Sequence, residues 1–410
     1  MTLKSSYIYI LIQKFRHCML AQFKNGLIQA FSMDYRSLAL LRIGLALLFL
    51  SDLIMRLRDF TAFFTDSGIF PRQTMIHWYQ KVGSSLYFIN GSEAWAIFLV
   101  ICSFLAAIAM VLGFKTKWAT ITSFILLYSL QFRTPAFNSS ADDLLKCLFF
   151  WSMFLPLGAK FSLDAKLGKL YPKIKSHFSL ATFCILNQAM LVYWIGAILK
   201  SGDAWTKNFS AIEWAMNLGH FTTPIGKYFL EHFQPLMKSM TQAVWLVELY
   251  GPIFMFMPFA LLYFRLPVQI FLIGMHASFI FLLNIGFFPY LSILSILLFT
   301  QPKVWDFIYQ RKVCGQIQLA LDAIYTRFKK QIHQVDAAFE KGRPHFHSKT
   351  LSQLPLTILL IAFTLVLYKN GNRILPKVFS KNKVMDHSLW VLGLSQNWGM
   401  FAPFPLKTTR

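Results

Sequence analysis

Residues 196–205 read GAILKSGDAW, a lysine closing a hydrophobic run with a tryptophan five positions further on. Lys200 has two readings. It is an anchor at a membrane boundary, or an amine that Gly196, Trp194 and Trp205 keep from water, and a desolvated amine can serve as a general base. Other polar groups share the apolar stretches: Arg42 and Asp52 in the first, Asp142, Asp143 and Lys146 opening the fourth, Gln188 in the fifth, Glu248 in the sixth and His276 in the seventh. Charge is costly in lipid, so such groups face a bundle interior, pair with one another or serve a function. Arg42 and Asp52 stand near opposite ends of their run, so each is expected to pair with another helix or sit at the interface, and Lys146 is expected to snorkel. Glu248 precedes Gly251 and Pro252, which would kink or open its helix, so its carboxylate has freed backbone N–H groups or another helix as partners. His276 has no ionisable neighbour in its flanks, which fits a satisfied hydrogen-bond partner or a proton carrier.

These groups need a scaffold, and composition sets its class. Hydrophobic residues make up 56% and charged residues 14% of the 410-residue chain, against about a quarter charged in soluble domains. The formal charge of +23, from 40 Lys and Arg against 17 Asp and Glu, would suggest a nucleic-acid partner in a soluble protein. Here the bases fall between apolar runs, where they fix orientation and meet anionic head groups, so the expected partner is the lipid bilayer and not nucleic acid. Cys18, Cys102, Cys147, Cys184 and Cys314 are widely spaced with no C-x-x-C pair; they read as small apolar side chains, and no metal is expected.

Runs long enough to approach the ~20 residues that cross a bilayer lie at 37–55, 94–113, 118–132, 144–157, 179–199, 241–263, 267–284, 288–301 and 351–369. The expected fold is therefore all-α, a polytopic membrane helix bundle of about nine spans, with eight or ten also open. The runs at 144–157 and after NIGFFPY are short, which suits a re-entrant segment or a span buried among others. Ahead of them, Ile8, Leu11, Ile12, Phe15, Met19 and Phe23 recur at helical spacing apart from Lys14, Arg16 and His17. That pattern predicts an interfacial amphipathic helix within 1–36, and not a cleaved signal peptide. The remaining divisions are a bundle at 37–301, a basic loop with a surface helix at 302–350, and a last span with its terminal segment at 351–410. The most basic loops, 158–178 and 302–350, fall on one side if the N-terminus is cytoplasmic, as the positive-inside rule requires. The loops at 56–93 and 201–240 and the segment after 370 then face the other side; Arg373, Lys377, Lys381 and Lys383 in that segment argue against an odd number of spans.

Five blocks, LLRIGLALLFLSDLIMRLRDFTAFFTDSGIFPR (40–72), NSSADDLLKCLFFWSMFLPLGAKFSLDA (138–165), QAMLVYWIGAILKSGDAW (188–205), MHASFIFLLNIGFFPY (275–290) and LGLSQNWGMFAPFP (392–405), resemble the membrane region shared by vitamin K-dependent gamma-carboxylases and the bacterial horizontally transferred transmembrane (HTTM) proteins. The FW-x-x-FLPLG and Q-x-W-x-MFAP blocks are the most specific. The resemblance implies that Lys200, five residues before Trp205, matches the base that deprotonates reduced vitamin K, and that His276 matches a histidine before the family's aromatic segment. It implies a vitamin K-like reduced quinone as cofactor; together with the polar residues of the apolar runs, the candidate catalytic residues are then Lys200, His276 and Asp142, with Trp205, Glu248, Tyr193 and Gln188 around the substrate. At 138–145, N-x-x-x-D-x-L-L follows the bacterial branch, and the carboxylases' large propeptide-binding domain has no counterpart before Arg410, so propeptide-guided carboxylation is not expected. A bacterial inner membrane is the expected location.

Two functions remain open at this level. One is a quinol-dependent or peptide-modifying membrane enzyme with Lys200 as base. The other is a non-catalytic membrane protein for transport, toxin maturation or immunity, in which Lys200 is an anchor and the 201–240 loop meets a peptide partner. The oligomeric state is left open.

Overall fold

The computed structural model describes residues 2–78, 85–168, 174–309, 313–341, 349–376, 378–379, 381–403 and 405. The described chain is almost entirely helical: α1 (Thr2–Ala30), α2 (Tyr35–Arg56), α3 (Glu93–Leu112), α4 (Thr116–Arg133), α5 (Ser140–Ser152), α6 (Leu180–Leu199), α7 (Gln234–Met255), α8 (Leu261–Leu282), α9 (Phe288–Leu297), α10 (Pro302–Tyr309), α11 (Val313–Lys341), α12 (Lys349–Ile374) and α13 (Lys383–Val391), with short helical turns between them. Its strand content is one two-residue antiparallel ladder, Met33–Asp34 with Ser176–His177.

Each of the nine expected spans falls on a helix, but the number long and apolar enough to cross a membrane is smaller. Five qualify among the described residues: Tyr35–Phe64, Glu93–Leu112, Leu180–Leu199, Leu261–Leu282 and Gln353–Ile374. A sixth arises if Phe288–Leu297 and Pro302–Ile308, which meet at 109°, count as one broken span. The others fall short for physical reasons. Helix α5 has 13 residues and so reaches only about 20 Å, while α7 opens with the polar residues Gln234, Lys238, Ser239, Thr241 and Gln242.

Local signals explain where the helices begin and turn. Ser92, Ser139 and Ser179 cap α3, α5 and α6, and the last two form capping boxes with Asp142 and Thr182, which satisfies backbone N–H groups that the first turn leaves without partners. Gly113 ends α3 in the left-handed region, φ 67°, against the Arg42 guanidinium, where any Cβ would collide; a glycine is required on both counts. Arg42 donates through Nη2 to the Phe161 carbonyl, so its partner is a loop and not another helix. Asp52 pairs within its own helix, with Arg56. Lys146 lies beside Asp143 at 3.3 Å and is largely covered.

The two basic segments meet at one end of the bundle. Lys166 pairs with Asp322 of α11, and Lys115 with Asp336 of the same helix at 2.7 Å. The surface helix expected in the second segment is α11, interrupted at Phe328. On α1, Met19 and Phe23 are exposed along with Arg16 and His17; the side chains of Ile8, Leu11, Ile12, Lys14 and Phe15 lie outside the described residues, as do Lys169, Lys173, Arg311, Lys312, Arg343 and Lys377 and the side chain of Cys314.

The core is one continuous cluster running through α2, α3, α5, α6 and α9. Helix α6 is the most buried of the five span-length helices and α8 the least. Helix α6 packs on α5, α7 and α12, and its C-terminal end carries Lys200 into the interior.

Candidate functional site

Helix α6 stops at Lys200, whose N–H still reaches the Gly196 carbonyl at 3.2 Å. Ser201 and Gly202 then break the chain direction, and a single turn, Asp203–Thr206, returns Trp205 over the lysine. The Lys200 Nζ sits 4.4 Å from the Trp205 ring centroid and donates to Glu248 of α7. Lys200 is only 7% exposed. Glu248 therefore takes a partner from another helix, and Pro252 lies inside a helix that runs on to Met255.

This ion pair lies on the wall of a cavity of about 980 Å³. Two further polar groups share that wall. Tyr193, on α6, and His276, on α8, are hydrogen-bonded through the tyrosine hydroxyl and Nε2 at 2.8 Å. The His276 Nδ1 is buried and meets no partner atom. Apolar side chains, among them Val192, Val244, Met275, Phe279 and Phe288, make up most of the remaining surface. Such a site can hold a largely apolar molecule and address one or two polar atoms on it, the usual composition of a small-molecule pocket.

The segment after α13 closes the cavity. Trp398, Met400, Phe401, Ala402 and Pro405 line it. The Phe401 carbonyl accepts from Trp205 Nε1 at 2.9 Å and the Pro403 carbonyl accepts from the Gly202 N–H at 3.1 Å, so the strap is bonded to the turn that carries Lys200 and Trp205. Its other end is fixed by Gln396, whose Oε1 accepts from Gln188 Nε2 at 2.7 Å and from Trp398 Nε1 at 2.6 Å. The Q-x-W-x-MFAP block is thus a wall of the site. Its sequence signal was visible, and its position was not, because nearly two hundred residues separate it from Lys200.

Of the seven candidate residues, Lys200, His276, Trp205, Glu248 and Tyr193 converge on this cavity. Asp142 and Gln188 do not. Gln188 lies three turns before Lys200 on α6 and serves the strap. Asp142 caps α5 and lines a second, smaller chamber of about 430 Å³. There its carboxylate accepts from Arg56 Nη2 at 2.6 Å, from Gln131 Nε2 at 3.1 Å and from the Ser139 N–H at 2.7 Å. Arg56 also reaches both oxygens of Asp52 and, at 2.8 Å, Thr134 Oγ1. Arg56 escaped the sequence reading, although it stands one turn after Asp52, the spacing of a helical ion pair. The two chambers adjoin, for Ser139, Ala141 and Gly286 line both.

Two expected neighbours of Lys200 differ. Trp194 faces outward and donates to the Leu249 carbonyl at 2.9 Å, because six residues along a helix turn it about 120° away from Lys200. Gly196 borders the strap: a Cβ there would lie 3.5 Å from the Trp398 carbonyl, an ordinary contact. No protein-family model matches the chain, and neither a curated protein nor a solved structure is similar to it.

Proposed function

We propose that the protein is a polytopic membrane enzyme, cytoplasmic at its N-terminus and related to the HTTM and gamma-carboxylase superfamily, that uses the Lys200–Glu248 pair to take a proton from the hydroxyl of a lipid-soluble quinol. The observation that carries this reading is the buried ion pair facing a large apolar cavity. Five helices of span length and composition support the membrane setting, and the basic segments collected at one end support the orientation.

The residues present fit a quinol. The apolar walls accommodate a ring and chain, and the partnerless His276 Nδ1 supplies a polar contact for a ring oxygen. A bound quinol would supply an acidic hydroxyl and reducing equivalents. Transfer of the ammonium proton from Lys200 Nζ to Glu248 leaves a neutral amine and a carboxylic acid, and that amine accepts the hydroxyl proton. The pair would then hold one proton more than before, with the positive charge on Nζ beside the Trp205 ring. Tyr193 fixes the His276 ring by bonding Nε2, and the strap and the Trp205 ring cover the amine of Lys200, which is 7% exposed, and this strengthens its electrostatic contacts.

The test follows oxygen consumption and product formation by the purified protein in lipid nanodiscs supplied with a reduced naphthoquinone. Lys200→Ala and Lys200→Arg are expected to abolish both; full activity in both variants would dismiss the base. A second reading rests on the completeness of the ion pair, which is what a purely structural bridge needs: a membrane protein that binds or transports a ligand without chemistry. Under it the wild-type protein binds the quinol and consumes no oxygen.

A further inference from the structure

We infer that the cavity opens sideways, through the gap between α7 and α8 at Gly274, and that the hydrocarbon chain of its ligand lies in that gap while the head meets Lys200 and Glu248. The inference rests on the preceding reading only in placing a hydroxyl-bearing, lipid-soluble ligand in the cavity.

Helices α7 and α8 are neighbours joined by residues 256–260, and near that connection they are tight: a Cβ on Gly251 would meet Val268 Cγ1 at 3.0 Å. Further along α8, among the described residues, no atom lies within 4 Å of a Cβ built on Gly274. Ile270 and Gly274 both line the cavity, yet Ile270 is 62% exposed and Gly274 is exposed as well. One turn of α8 thus faces the interior and the outer surface together. Met240 and Ala243 of α7 stand across the gap, and they too line the cavity. No charged residue belongs to this rim.

The depth of the opening tells what lies outside it. Gly274 stands eight residues before the end of α8 at Leu282, so it is about 12 Å from the nearer end of the helix. In a helix of span length this is the hydrocarbon region and not the head-group layer. The cavity reaches the surface a second time at Ser139, Asn284 and Gly286, beyond the helix ends, and that mouth is polar. An amphiphile fits this division: chain toward the lipid-facing gap, head among the polar groups. His276 lines the cavity, and its buried Nδ1, without a partner among the described residues, is free to bond a polar atom of the ligand. Gly274 then sets specificity, because the absence of a side chain keeps the chain's path open.

The probes are 4-ethylphenol and 4-dodecylphenol, radiolabelled, bound at equilibrium to the full chain in nanodiscs. Gly274→Trp is expected to weaken the dodecyl compound at least about ten-fold, equivalent to about 1.4 kcal/mol, and to leave the ethyl compound within about two-fold, since the indole fills the path of the long chain only. Gly274→Ala and Ile253→Trp, an outward position on α7, should change neither. If Gly274→Trp does not fold, Ile270→Trp narrows the same gap and is read in its place. Equal weakening of both phenols, no weakening of the long one, or binding of neither by the wild-type protein overturns the inference. Lys200→Met should weaken both phenols alike. If it changes neither while Gly274→Trp still discriminates, the lateral opening stands and the role of Lys200 falls.

Discussion

Two adjoining chambers each hold buried charge, and they treat it differently. In the smaller one Arg56 is bonded to Asp52, Asp142 and Thr134, and Asp142 in turn accepts from Gln131 and the Ser139 backbone. The charged groups of that cluster are committed to protein atoms that fasten α2, α4 and α5 together, although Gln131 Oε1 is buried without a partner among the described residues. In the larger chamber Lys200 has one carboxylate and one aromatic face, and His276 keeps a ring nitrogen without a partner. A dense network of charged bonds fixes structure. A sparse one beside an open volume leaves polar groups for a ligand, because an unmet buried donor or acceptor gains most from a new partner.

Substitutions can break or sharpen that contrast. The largest effect is expected from Lys200→Met, which leaves the Glu248 carboxylate buried without compensation and should cost about 3–5 kcal/mol of stability. The double variant Lys200→Met, Glu248→Leu should recover most of this, as read by denaturant unfolding in mild detergent. A loss below about 1 kcal/mol in the single variant would place the amine in water. Asp142→Ala follows, at about 2–4 kcal/mol, since it removes both a helix cap and a partner of Arg56. Unlike Lys200→Met, it should leave phenol binding in the larger cavity within about two-fold once the folded fraction is accounted for; an equal loss of binding would make the chambers one functional site.

Gln188→Leu is expected to cost about 1–2 kcal/mol, by removing the bond to Gln396 and the longer contact with Trp151. It should also raise the reactivity of Lys200 toward a water-soluble amine reagent, since the strap it anchors covers that residue. Unchanged labelling would mean that Trp205 and Glu248 alone shield the amine. The smallest change, about 1 kcal/mol, is expected for Tyr193→Phe, which frees His276 Nε2. Because the freed ring can turn, phenol affinity should fall by more than stability does; a change in stability alone would give the Tyr193–His276 bond a structural role only.

Much of this was legible along the chain. The apolar runs located the helices, since backbone groups that leave water must bond internally and a helix does so within one segment. The polar residues inside those runs singled out Lys200, Glu248 and His276, because charge is rare where desolvation is expensive. What failed was any inference requiring a direction around a helix or a distance between segments. Trp194 and Trp205 looked alike as neighbours of Lys200, and only the break at Ser201–Gly202 brings the second onto the amine. Asp142 looked like a partner of Lys200, whereas its position on the first turn of α5 commits it to a cap and to Arg56. Among the described residues fewer helices have the length and apolarity of a span than the chain has apolar runs, because such runs mark burial in protein as well as in lipid.

The order of residues alone determined that the chain is helical, strongly apolar and basic at one set of loops, since backbone hydrogen bonding, hydropathy and charge are properties of short stretches. Only the tertiary structure decided that Lys200 pairs with Glu248, that Trp398, Met400 and Phe401 wall the cavity, and that Gly274 both lines the cavity and is exposed. Those facts depend on which surfaces of distant segments meet, and the packing of whole helices fixes that.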